Sequence, residues 1–158
     1  MATSDRRHLE SQLHDRLNAA SARNLRAISR FAGANGLVLS DLRALMQLKT
    51  AEDEGAAHLT PGDLAKFLEL SSGAVTYLVE RLSRAGLVVS ERDPDDRRRA
   101  RVLLTAEGTQ VVARLTSGLH GVEVLALTTI SDTDLAAAVR VLELLDSALD
   151  SYAGRFSN

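Results

Sequence analysis

The sequence contains no cysteine, no tryptophan and only two prolines among its 158 residues. Without cysteine, the chain can form no disulfide and offers no thiolate to a metal ion or a redox partner. The two prolines, Pro61 and Pro94, leave long stretches without a helix breaker. Aromatic residues make up 3% of the chain, so the core must be mainly aliphatic. This composition favours a helical domain.

Long apolar runs and an excess of one charge are also absent. No stretch approaches the roughly 20 apolar residues that span a bilayer, and the charged N-terminus "MATSDRRHLESQ" does not resemble a signal peptide. We therefore expect a cytoplasmic protein without a membrane partner. The net charge of −2 provides no global attraction to nucleic acid, so any such attraction must be local.

Apolar periodicity predicts helices over most of the chain. A first helix is predicted over residues 8–32, and Ser40 is a candidate N-cap for the second. In "TPGDLAKFL", Thr60 and Pro61 have the residue types of an N-cap and a first helical position. A short helix there is followed, after a tight turn, by another that Ser71 caps and Gly86 ends. The pair has the helix-turn-helix pattern.

A hairpin rich in arginine follows directly, in "VVSERDPDDRRRARVLLT" (88–105). Two strand-like segments flank an Asp-Pro turn, and four arginines occupy five consecutive positions. Between Arg81 and Arg101 there are seven arginines and four acidic residues. A positively charged hairpin tip can enter a narrow minor groove, where the potential is most negative. The sequence therefore predicts a mainly α winged helix-turn-helix fold in which the hairpin, or wing, contacts DNA.

The terminal segments are predicted to form a dimerisation region. Thr105 begins a long helix, and the last helix repeats apolar residues at alternating spacings of three and four, namely Leu135, Ala138, Leu142, Leu145, Leu149 and Tyr152. This seam needs partner helices along its whole length, which one small chain does not supply. We assign residues 1–36 and 109–158 to dimerisation and residues 37–108 to the winged helix-turn-helix domain.

The segment "LTPGDLAKFLELSSGAVTYLVERLSRAGLVVSERDPDDRRRARVLLTAEG" (59–108) resembles the core of the MarR family of bacterial transcriptional regulators. The arrangement "RDPDDRR…LLTAEG" carries most of the resemblance. The resemblance implies a homodimer that binds a pseudo-palindromic operator, usually as a repressor. It also implies that small aromatic or anionic ligands release the protein from the operator. It also implies a ligand cleft between the winged domain and the dimerisation helices, with four candidate lining residues: Leu13, Leu17, Met46 and Val112.

The candidate DNA-binding residues fall into two sets. On the recognition helix, the second helix of the motif, they are the polar, glycine or aromatic residues of its N-terminus and outward face: Ser71, Ser72, Gly73, Thr76, Tyr77, Arg81 and Arg84. On the wing they are Arg92, Asp96, Arg97, Arg98 and Arg99, where the resemblance implies that Asp96 pairs with a neighbouring arginine. Glu80 could accept a hydrogen bond from cytosine, but pairing with Arg84 four residues on is preferred. Ser71 can cap the helix or bind phosphate, and Tyr77 can contact DNA or pack against the domain.

Other functions fit the sequence less well. A winged helix that serves as a protein–protein adaptor without binding DNA is the alternative, but an adaptor has no need of an arginine-rich wing. We find no nucleophile elbow, phosphate-binding glycine loop or paired His and acid, so we predict no enzyme activity and no cofactor. The four histidines, His8, His14, His58 and His120, do not have metal-ligand spacing, and no metal site is predicted.

Overall fold

The structure is a computed structural model, and it describes residues 2–55, 58–92 and 100–155. Within these ranges there are six helices and one antiparallel hairpin. Their bounds are α1 (Ala2–Ala34), α2 (Leu39–Asp53), α3 (Pro61–Leu68), α4 (Ser72–Arg84), β1 (Val88–Arg92), β2 (Ala100–Leu104), α5 (Ala106–Leu127) and α6 (Asp132–Ala153). The predicted mainly α winged helix-turn-helix fold is confirmed.

The two helices of the motif begin and end as their sequences predict. The Thr60 hydroxyl accepts a hydrogen bond from the Asp63 N–H at 3.2 Å, and the Asp63 carboxylate accepts one from the Thr60 N–H at 2.9 Å. Ser71 caps α4 by accepting from the Ala74 N–H at 3.3 Å. Gly86 follows the end of α4 with φ +72°, a conformation that favours glycine.

The start of α2 differs from the prediction that Ser40 caps it. The helix begins at Leu39, so Ser40 lies inside it and Val38 is the N-cap residue. Valine offers no side-chain acceptor, and the carboxylate of Asp41 instead accepts a hydrogen bond from the Val38 N–H at 3.1 Å. A cap was expected from a hydroxyl before the helix, whereas an acidic residue in its first turn supplies the acceptor.

The buried apolar core belongs to the winged region and the elements next to it. It is almost entirely aliphatic, as expected from the scarcity of aromatic residues. Its largest fully buried apolar side chains come from α2, α3, α4 and both strands: Leu42, Leu45, Leu64, Leu78, Leu82, Val75, Val88 and Val102. At about 25 cal/mol per Å² of apolar surface removed from water, these side chains are the main source of stability for this region.

The hairpin joins this core through its backbone. Val88 pairs with Leu104 and Glu91 with Arg101 in the antiparallel register. On the other edge of β2, the Leu59 carbonyl accepts a hydrogen bond from the Val102 N–H at 2.9 Å. The residues ahead of α3 therefore hold the base of the wing against the helix-turn-helix.

The structure explains why the "LTAEG" segment has threonine at position 105 and glycine at position 108. The Thr105 hydroxyl donates to the Gly86 carbonyl at 2.7 Å and accepts from the Gly108 N–H at 3.0 Å, so it caps α5 and ties it to the end of α4. A Cβ at residue 108 would lie 2.1 Å from the Leu87 carbonyl oxygen. Only glycine allows this close contact between α5 and the backbone that leads into β1.

The chain divides into two compact units, Met1–Ser117 and Gly118–Asn158. In the second unit, Ser131 caps α6 by accepting from the Asp134 N–H at 3.1 Å. Its apolar side chains are largely exposed, including Val122 at 70% and Leu149 at 60%. None of the helices in the described ranges is both long and apolar enough to cross a membrane.

Candidate nucleic-acid interface

The burial of α4 determines which of its residues can face DNA. Val75, Leu78, Val79 and Leu82 are all less than 9% exposed and form the buried apolar stripe of the helix. Since these residues repeat at helical spacing, the residues between them must face away from the core. The recognition helix is therefore fixed by its own core contacts with one polar face outward.

The outward face contains the residues that the sequence predicted there. Gly73, Thr76, Tyr77, Glu80 and Arg84 are all exposed. The Thr76 hydroxyl donates a hydrogen bond to the Ser72 carbonyl at 2.9 Å, so its proton is already used within the helix. What Thr76 can still offer a base edge is an acceptor oxygen and a methyl group suited to thymine.

The first turn of α4 combines exposed hydroxyls with unobstructed backbone. Ser71 and Ser72 are exposed, and Ser71 acts as the N-cap. The first N–H groups of a helix have no intrahelical acceptor and carry a partial positive charge, which favours phosphate. A Cβ added to Gly73 would meet no atom within 4 Å, so packing within the chain does not require glycine here.

Arg81 has a partner that the sequence did not reveal. Its Nε donates to Asp41 Oδ2 at 3.2 Å, and its Nη2 also donates to Asp41 Oδ1. The Asp41 side chain is only 1% exposed, whereas that of Arg81 is 35% exposed. The hydrogen bond to Asp41 raises the pKa of the Arg81 guanidinium above its ordinary value. Arg81 is thus part of a half-buried ion pair, and its predicted phosphate contact stays a prediction.

Tyr77 lies next to this pair. The Arg81 guanidinium carbon is 5.3 Å from the centroid of the Tyr77 ring, within the range of a cation–π contact. Tyr77 is nevertheless 57% exposed. One face of the ring therefore packs against Arg81 while most of the side chain remains accessible, and the predicted DNA contact of Tyr77 stays a prediction.

Two further arginines of the basic segment are paired. Arg84 Nη2 lies 3.5 Å from Glu80 Oε2, which confirms the predicted pair on α4. Arg101 Nη2 lies 3.0 Å from Glu91 Oε2 across the hairpin. Because both members of the first pair are exposed, it contributes little to stability and can open to release Arg84.

The remaining arginines of the predicted DNA-binding set are Arg92, Arg97, Arg98 and Arg99. Arg92, the last residue of β1, is exposed. The predicted residues Asp96, Arg97, Arg98 and Arg99 lie outside the residues that the structure describes, and so does the predicted pairing of Asp96. Since Arg81, Arg84 and Arg101 have acidic partners, the prediction of a DNA-binding wing depends chiefly on Arg92 and the three arginines of the tip.

A shallow groove of about 440 Å³ runs beside the outward face of α4. Thr76, Glu80 and Arg84 contribute to it from the recognition helix, Pro61 from the start of α3, and Ser90 from β1. The groove therefore brings residues of α3, α4 and β1 together along one surface beside the recognition helix.

The four predicted ligand-cleft residues differ in accessibility. Leu13 is 44% exposed and Val112 is 4% exposed, while Leu17 and Met46 are half-buried. A cavity of about 500 Å³ lies elsewhere, between the end of α2 and strand β2, and none of the four lines it. The location of a ligand site stays a prediction.

The histidines of the first helix have neighbours on the same helix. His8 Nε2 is 3.0 Å from the Gln12 amide nitrogen, and His14 Nε2 is 2.9 Å from that of Asn18. Across the residues that the structure describes, no three His, Asp or Glu side chains are grouped as metal ligands.

Asp41, the buried partner of Arg81, is the residue that sequence reasoning missed. The available signal was an acidic residue three positions after Val38, at the start of a helix that has no hydroxyl cap. That spacing could have predicted the contact with the Val38 N–H. The partner in α4 lies 40 residues away in the sequence, and no local pattern indicates it.

Comparisons with known proteins agree with this description. Residues 35–99 match the model of the MarR family. Over 76 residues, 48% of this chain, the sequence is 45% identical to the HTH-type transcriptional regulator YcgE of Bacillus subtilis, an uncharacterized protein of which the match covers 46%. Over 109 residues, 69% of this chain, it is 33% identical to the HTH-type transcriptional regulator PrsX of Escherichia coli, of which the match covers 62%. The chain thus spans about half to three-fifths of these two relatives.

A solved structure resembles the fold over a longer part of the chain. The crystal structure of the MepR–DNA complex of S. aureus aligns with a TM-score of 0.62 and 22% sequence identity, over 84% of this chain and 93% of that one. At this identity the similarity establishes the fold, and the bound DNA is a property of that protein.

Proposed function

Because the chain belongs to the MarR family, we propose that it is a dimeric transcriptional regulator that binds a pseudo-palindromic DNA operator. The observation that carries the proposal is the arrangement of α4. Its apolar stripe is buried, and its outward face presents Thr76, Tyr77 and Arg84 beside the base of an arginine-rich wing. In winged helix-turn-helix proteins a helix presented in this way enters the major groove.

The second unit supports the dimer. Val122, Leu125, Leu142 and Leu149 are each at least half exposed. Soluble monomers rarely expose so many large apolar side chains within about 40 residues, and such surfaces usually mark an interface between proteins. A two-fold dimer would cover them and hold two recognition helices for two half-sites about one DNA turn apart.

The proposal also includes repression and its release by a small aromatic or anionic ligand. The support for release is the MarR family membership together with the accessibility of Leu13 and the partial accessibility of Leu17 and Met46. A panel of aromatic acids, added to the protein bound to its operator, tests it. We expect at least one acid to release the DNA at a concentration that leaves the fold unchanged.

The principal test is DNA binding as a function of salt. Duplexes selected from a random pool by the wild-type protein serve as operators, and binding is followed by fluorescence anisotropy. We expect log K to fall with log salt by about 0.9 for each phosphate contacted. The variant R97A/R98A should lose on the order of tenfold in affinity for all duplexes and show a smaller salt slope, because two phosphate-directed charges are removed.

The control is R23A/R26A, which makes the same change in net charge at two exposed positions of α1. It should bind like the wild type. Equal losses in both variants would mean that total charge, and not the wing, determines affinity. A wild-type protein that binds no duplex even at low salt would overturn the proposed function and leave the adaptor as the better hypothesis.

A further inference from the structure

The ion pair between Asp41 and Arg81 is unusual among the described ion pairs because it joins separate helices and has one buried member. The Asp41 side chain is 1% exposed, while the acidic members of the other pairs are at least half exposed. Leaving one buried charge without its partner costs several times more than breaking an exposed pair. This pair therefore restrains the two helices that it joins.

Asp41 makes contacts in two directions. Oδ2 accepts from the Val38 N–H at 3.1 Å, which anchors the carboxylate to the first turn of α2. The same oxygen accepts from Arg81 Nε at 3.2 Å, and Oδ1 accepts from Nη2. A planar guanidinium that donates two hydrogen bonds to one carboxylate is fixed in both distance and orientation. The middle of the recognition helix is thus held to the start of α2.

Arg81 also contacts a residue on the side of α4 that is predicted to face DNA. Its guanidinium carbon is 5.3 Å from the Tyr77 ring centroid. Tyr77 is 57% exposed and is one of the residues predicted to contact DNA. Base readout depends on side chains placed within a fraction of an ångström, whereas attraction to phosphate tolerates small displacements. Loss of this restraint should consequently affect sequence preference more than overall affinity.

We propose that Asp41 and Arg81 are positioning residues that set the placement of the recognition helix and of Tyr77, and thereby determine operator preference. This inference rests on the proposed function, and it gives Arg81 a role different from the predicted phosphate contact. It also assigns a role in recognition to Asp41, a buried acidic residue that cannot itself touch DNA.

The test compares D41N and R81Q, using affinities for the selected operator and for a random duplex of equal length. The amide of D41N can still accept from the Val38 N–H but loses the charge that binds Arg81. The two variants change the net charge in opposite directions, so a purely electrostatic role would strengthen DNA binding in one and weaken it in the other. A positioning role instead reduces the ratio of operator to random affinity in both. We expect that ratio to fall by about tenfold or more, the scale of one base contact.

The salt slope separates the two roles of Arg81. If it positions the helix, R81Q should keep the wild-type slope and a nearly unchanged affinity for the random duplex. A slope reduced by about 0.9, with both affinities lowered alike, would show that Arg81 contacts a phosphate and would overturn the proposal. The matched control is D53N, the same chemical change at an exposed position of α2 that pairs with Lys49. It should retain the wild-type ratio.

The double variant D41N/R81Q guards against a trivial loss of folding. Removing both partners leaves no buried charge unpaired, so its urea midpoint should lie above that of R81Q. Its operator preference should nevertheless stay low. Recovery of preference together with stability would show that the pair acts only through folding, and an unchanged ratio in D41N would likewise overturn the inference. If the wild type binds no duplex, both the proposed function and this inference fail. If the wild type binds and D41N keeps the normal ratio of operator to random affinity, only this inference is rejected.

Discussion

The winged region and the C-terminal helices differ in the burial of their apolar side chains. Among the residues that the structure describes, the buried apolar side chains all lie between Ala32 and Leu115. Most of the large apolar side chains that are exposed lie at or after Val122. Both regions have regular helices with well-formed caps at Ser71 and Ser131. The difference therefore lies in tertiary packing, because one region completes its core within the chain and the other does not.

This contrast shows that the same helical periodicity can mark a face buried within the chain or an apolar face that remains exposed. In α4, residues at spacings of three and four are buried by neighbouring elements of the same chain, as with Leu78 at 2% exposure. In α6 the same spacing places Leu142 and Leu149 on a surface where they remain 52% and 60% exposed. Periodicity identifies the face that needs a partner, and only the structure shows whether the chain provides one.

The largest effect is expected from replacing exposed apolar residues of α6 by charged ones. We expect L142D/L149D to convert a dimer to a monomer, since aspartate is tolerated at positions exposed in one chain but not inside an interface. Operator affinity should fall by about 10²–10⁴-fold, because two linked recognition helices bind far more tightly than one. Light scattering gives the mass and anisotropy gives the affinity.

The control for this prediction is L144D, at a position that is 73% exposed and lies off the predicted seam. It should remain dimeric with nearly normal affinity. If L142D/L149D also keeps the mass of two chains, the exposed surface of α6 is not the dimer interface.

A substitution in the other region should act on stability alone. L78A removes a side chain that is only 2% exposed in α4, and we expect it to lower the free energy of unfolding by about 2–5 kcal/mol through lost burial and a residual cavity. Because this core is complete within one chain, the loss should be the same when the substitution is made in L142D/L149D. Urea denaturation of all four proteins at one concentration measures it. A loss that differs by more than about 1 kcal/mol between the two backgrounds would show that the regions are coupled.

The local features of the fold were predictable from the sequence. The caps at Thr60, Ser71, Thr105 and Ser131 each depend on residues three positions apart, and all four are present. The outward face of α4 was also predictable, because burial of one helical stripe determines which residues lie opposite.

Contacts between distant segments were not predictable. Asp41 and Arg81 are 40 residues apart, and the contact that requires glycine at position 108 is with the Leu87 carbonyl, 21 residues earlier. Each depends on how separate elements pack, which no spacing rule contains. The Ser40 prediction was wrong for a related reason: a hydroxyl was assumed to cap α2, whereas the Asp41 carboxylate caps it while also binding Arg81. The predicted site residues of α4 are therefore exposed or half-buried, whereas the residue that was missed, Asp41, is buried.

The smallest expected effect separates stability from recognition within α4 itself. Gly73 lies in the first turn of the helix, and a Cβ there would meet no atom within 4 Å. We expect G73A to raise the free energy of unfolding by about 0.5–1 kcal/mol, because alanine loses less backbone entropy than glycine on forming a helix. The same methyl group should weaken operator binding severalfold if the DNA backbone approaches this turn closely. G33A in α1, where a Cβ also meets no atom within 4 Å, should gain stability without losing affinity. Equal or tighter operator binding by G73A would place the start of α4 away from the DNA.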